Sequence, residues 1–116
     1  MNKINLEFTS KQSEVLMSLF NKELDFIYEW AEQIKAPVDY KEVKFLEDSI
    51  ILLRDSVVMN LDVVIEVQKE FRNTLIRLSS NIALMREQCL DPKNYDFLAG
   101  IIRIISDGYK KFSFEV

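Results

Sequence analysis

Positions 38–91 contain neither glycine nor proline. The whole chain has two of each: Pro37, Pro92, Gly100 and Gly108. Over most of its length, apolar residues recur every three or four positions. Helical periodicity with so few breakers constrains the fold more than any other feature, because it calls for long helices joined by short links.

Local signals bound those helices. Thr9 and Ser10 offer N-caps, and Thr9 with Gln12 has capping-box spacing. Leu16, Leu19, Phe20, Ile27, Trp30, Ala31 and Ile34 then mark one face and predict a helix over about 10–35. Trp30 falls on its core face, with a binding anchor as the other reading. Pro37 ends the run. Asp39 is the next N-cap, Glu42 stands at the third helical position, and Val38 and Val43 form a hydrophobic staple. Val43, Leu46, Ile50, Leu53 and Val57 follow with strict 3-4 spacing, predicting a helix over about 40–58.

A second seam passes through Leu61, Val64, Phe71, Leu75, Leu78, Ile82, Met85 and Cys89, with Gln68 in a polar slot. It predicts a helix over about 61–90 with Cys89 as a buried thiol. The step from Val57 to Leu61 is four where three is due. This slip reads as a turn capped by Asn60, or as a stutter in one helix of about 50 residues, roughly 75 Å long. The turn is preferred, because ordinary helices are shorter. Asp91 and Pro92 start the last helix, over about 92–107, and Gly108 is its expected stop.

The chain ends break the pattern. INLEF (residues 4–8) and FSFEV (residues 112–116) alternate apolar and polar, the two-residue period of a half-buried strand. The expected fold is therefore all-α. It is an antiparallel bundle of three or four helices in a single domain, residues 1–116, with a small two-stranded β-ribbon formed by the chain termini.

Chemistry is limited by what is missing. The chain has no histidine and one cysteine. That removes His-dependent nucleophile systems, His-containing zinc sites and any internal disulfide. No phosphate-binding glycine loop and no EF-hand loop occur. Glu23, Asp25, Glu29 and Glu32 in the first helix, with Glu47, Asp48 and Asp55 in the second, read as solvated acidic faces rather than a magnesium site. The expectation is no catalytic residue, no metal and no cofactor.

Charge is uneven. Residues 1–22 carry three basic and two acidic residues, residues 23–66 four and eleven, and residues 67–116 eight and six. These sum to the formal net charge of −4. An acidic middle disfavours nucleic acid, whose binding rests on phosphate neutralisation. No apolar run reaches the roughly 18 residues of a membrane span, and no signal peptide is visible. Phe26, Tyr28, Phe45, Ile51, Val58 and Val63 lie off the main seams, which suggests contact with a second subunit.

The sequence thus points to a non-enzymatic protein-binding module. The expected form is a small cytoplasmic inhibitor, immunity-type or adaptor protein, of bacterial or phage origin by its Lys, Asn and Ile usage. It would act through an acidic helical surface bearing Glu29, Glu32, Glu47, Asp48 and Asp55. Another protein is the expected partner, with a homodimer as the default assembly. The alternatives are a secretion or assembly chaperone, and a small-ligand sensor binding between helices or subunits.

Overall fold

A computed structural model describes residues 2–113. In chain order the elements are β1 (Lys3–Phe8), α1 (Ser10–Ile34), α2 (Tyr40–Met59), β2 (Val63–Gln68), α3 (Arg72–Glu87) and α4 (Pro92–Ser113). A single 3₁₀ turn, Lys69–Phe71, leads from β2 into α3. The described chain is mostly helical, with a two-stranded antiparallel sheet made by β1 and β2. It divides into two compact units: Thr9–Val63, and the segment through Phe8 together with the chain from Val64 onward.

The first unit is an αα-hairpin. At the start of α1 the Gln12 N–H donates to Thr9 Oγ1 at 3.2 Å, and the Thr9 N–H donates to Gln12 Oε1 at 2.9 Å. This reciprocal pair satisfies two donors that a helix start leaves open. Asp39 does similar work for α2, accepting from the Lys41 and Glu42 N–H groups. Both helices end the same way. Lys35 (φ 53°) and Asn60 (φ 53°) take left-handed conformations, and the next N–H in each case reaches back, Ala36 to the Ala31 carbonyl and Leu61 to that of Ser56. That is a Schellman-type stop. It resolves the phase slip after Val57 as a true helix end. Ser13, Leu16, Leu19, Phe20, Glu23 and Ala31 are the buried line of α1; Val43, Leu46, Ser49, Leu53 and Ser56 are that of α2. Ser13 Oγ lies 3.0 Å from Ser56 Oγ, which donates to the Leu61 carbonyl, so these buried hydroxyls are satisfied within the hairpin.

The second unit sets the sheet on a helix pair. The Lys69 N–H donates to the Asn2 carbonyl at 2.8 Å. In an antiparallel ladder that bond places Ile4 opposite Val67 and Leu6 opposite Ile65. All four are buried, with Phe8, while Lys3, Asn5, Glu7, Val64, Glu66 and Gln68 are exposed. One face of the sheet is therefore covered and the other open. β1 packs on α4, whose buried line is Leu98, Ile101, Ile105, Gly108 and Phe112. Leu75, Leu78 and Ile82 supply the buried apolar face of α3, which packs along α4, and Phe71 of the 3₁₀ turn is buried just ahead of them.

Two expectations are corrected. The ribbon is not made by the chain termini: β1 pairs with β2 from the middle of the sequence. Phe112 and Ser113 are the last residues of α4, and Phe114–Val116, the rest of the expected strand, lie outside the described residues. Nor is 61–90 one helix. VVIEVQ is rich in β-branched residues and puts Ile65 and Val67 on one face, which a strand partner can bury. Helical structure resumes only at Lys69, and Leu61 and Val64 of the supposed seam are exposed. The last helix also runs through Gly108 to Ser113, since Gly108 is a packing position rather than a stop.

Candidate functional site

All five acidic residues singled out in the sequence lie in the αα-hairpin, and all are exposed. They do not form one cluster. At about 100° per residue, Glu29 and Glu32 stand on the side of α1 away from its buried line. Asp48 and Asp55, seven residues apart, share the outer side of α2, and Glu47 lies on its flank. Glu23 is the exception among the α1 carboxylates, buried within the line itself. Asp48 meets Lys44 one turn earlier at 3.2 Å. Both side chains are well exposed, and such pairs contribute only about 0.3–0.5 kcal/mol. Among the described residues, no three acidic or cysteine side chains gather as a metal ion would require.

The more informative feature is apolar. Trp30, placed by its spacing on the core face, is 53% exposed. Its ring stacks on that of Phe26 one turn earlier, with centroids 6.5 Å apart and planes 11° from parallel. Phe26, Tyr28 and Ile34 are exposed to a similar degree, and Tyr40 at the start of α2 more so. Beside the aromatic pair run Asp25 and Glu29, each one residue earlier in sequence. Buried apolar area stabilises a fold by about 25 cal/mol per Å², so aromatic surface left in water is a forgone gain. Trp and Tyr in such settings are over-represented among residues that dominate binding energy. Ile34, like Trp30, was placed on the core face by its spacing and is instead half exposed; Tyr40 was not distinguished by the sequence.

The outer side of α2 is mixed. Ile51, Leu52, Val58 and Met59 are exposed between and beyond Asp48 and Asp55. Phe45 is half-buried, its ring 6.4 Å from that of Phe20. Cys89 is not a core thiol. It lies in the link after α3, half-buried, with Sγ 3.6 Å from the Asp91 carbonyl oxygen. Near it Arg86 caps the Tyr95 ring at 4.6 Å, a cation–π contact that ties α3 to α4.

Comparison of the chain with protein-family models, curated proteins and solved structures returned no match. No described helix is long and apolar enough to cross a membrane.

Proposed function

We propose that the protein is a non-enzymatic protein-binding module, of the small inhibitor, immunity-type or adaptor kind, acting through the exposed sides of α1 and α2. The observation that carries this reading is the stacked Phe26–Trp30 pair, about half exposed, with Asp25 and Glu29 on its flank. Stacking holds the two rings in place before any partner arrives, so little side-chain entropy is lost on binding. The lone cysteine agrees with a reducing, intracellular setting. Affinity capture from the source cell with tagged protein tests the proposal. Capture of a specific partner should be lost on Phe26→Ala/Trp30→Ala, and on charge reversal at Glu29, Glu32, Glu47 and Asp48. Capture that survives both sets of changes overturns it.

A second reading rests on a different observation. Ile51 with Val58, and Leu52 with Met59, leave exposed apolar pairs on either side of Asp48 and Asp55 along outer α2, which self-association as a homodimer would cover. Light scattering after gel filtration should then give twice the 13.7 kDa chain mass, reverting to the chain mass in Ile51→Glu/Val58→Glu. A wild-type monomer at every concentration reached would rule it out.

A further inference from the structure

We infer that the C-terminal half of α1 is a docking strip for a cationic amphipathic helix of a partner protein; this rests on the protein-binding reading above and specifies the partner's chemistry. Phe26, Trp30 and Ile34 are spaced four apart and all half exposed, so they form one ridge along the helix. Eight residues at 1.5 Å each make that ridge about 12 Å long, enough for two turns of a second helix. Asp25 and Glu29, both exposed, follow it on one flank as an acidic band, and Glu32, also exposed, stands further round the helix beyond Glu29. Positions 23–34 contain no Lys or Arg. The strip therefore presents apolar surface edged by charge of a single sign.

Charge decides among occupants. An anionic lipid surface or a nucleic acid would face the acidic band and be repelled. A second copy would do no better, because an isologous contact sets the same patch against itself and opposes the two acidic bands. A partner helix with apolar residues at helical spacing and Lys or Arg on its flank matches both parts at once. Trp30 strengthens that match, since the indole face is the best aromatic acceptor for a cation.

Trp30 is the only tryptophan in the chain, so its emission reports on the strip alone. The probes are three synthetic helical peptides of one pattern, with leucine on the apolar face and lysine, glutamine or glutamate on the polar face. The Leu/Lys peptide should move Trp30 emission to shorter wavelength, and added salt should weaken the effect. Asp25→Asn/Glu29→Gln/Glu32→Gln should raise its dissociation constant about tenfold or more. Glu47→Gln/Asp48→Asn/Asp55→Asn removes the same charge from α2 and should change it far less. The inference is overturned if the two triple variants weaken binding equally, if no peptide moves the emission, or if phosphatidylserine vesicles move it as much as the Leu/Lys peptide. Equal binding of all three peptides, abolished in each case by Phe26→Ala, removes the cationic partner but leaves the protein-binding reading standing.

Discussion

Gly108 of α4 lies directly against Leu6 of β1. A Cβ built on Gly108 would come within 2.4 Å of Leu6 Cδ2 and 3.0 Å of Ile4 Cδ1. Real methyl groups do not approach so closely, so the glycine is what lets strand and helix meet here. Gly100, two turns earlier on the same helix, has nothing within 4 Å of the equivalent point. The two glycines should therefore answer alanine with opposite signs. Glycine inside a helix costs about 0.8–1 kcal/mol relative to alanine, and Gly100→Ala should recover most of that. At Gly108 the same gain is set against overpacking of about 1–3 kcal/mol, so Gly108→Ala should be destabilising and Gly108→Val clearly more so. Urea unfolding measures both. In a double-mutant cycle, Leu6→Ala should relieve part of the Gly108→Ala penalty, because the two sites share one contact.

Lys35 and Asn60 hold the same left-handed backbone, φ 53° in each, at the ends of α1 and α2. Glycine adopts that conformation without the Cβ clash, which costs other residues about 1–2 kcal/mol. Lys35→Gly should thus raise stability by up to about 1 kcal/mol. Asn60 differs in two respects: asparagine tolerates the left-handed region better than lysine, and its Oδ1 accepts from Ser10 Oγ at 2.8 Å. Asn60→Gly loses that bond and should show little or no gain. Equal stabilisation by both substitutions would mean that neither the Ser10–Asn60 bond nor asparagine's tolerance of this conformation contributes.

Phe112 is 2% exposed near the end of α4. As a terminal strand residue it would be dispensable to the helices; as a buried member of the α4 line it is not. Phe112→Ala should cost about 3–5 kcal/mol, visible as a large drop in the urea midpoint. A change under about 1 kcal/mol would be surface behaviour and would contradict the burial.

How much of this was legible follows from where each signal sits. α1 and α2 carry their own punctuation: Thr9 with Gln12, Pro37, Asp39 with Glu42, and Asn60 after Met59. Each acts within three or four residues, so the sequence alone suffices. β2 has no such local mark. Its partner β1 lies some sixty positions away, and only that pairing decides the matter. The acidic residues of the candidate site were legible as exposed because charge is rarely buried. Trp30 was not, because periodicity identifies a face but cannot say where its cover stops.

The segment 63–68 provides the sharpest test, because its two readings make opposite demands of neighbouring residues. In a helix continuing the seam from Leu61 through Val64 to Phe71, Val64 would be buried and Ile65 would point elsewhere. In the strand, Ile65 is 2% exposed opposite Leu6, and Val64 is 52% exposed on the open face. Lysine separates them. Ile65→Lys puts a charge into the buried layer between sheet and helix and should cost several kcal/mol or prevent folding. Val64→Lys stays in water, next to Glu66 on a polar face that already pairs Lys3 with Glu66 at 3.7 Å, and should fall within about 0.5 kcal/mol of wild type. Should Ile65→Lys fail to accumulate, Ile65→Ala serves in its place, expected to cost about 2–5 kcal/mol against almost nothing for Val64→Ala. The reverse order would restore a continuous helix and remove β2.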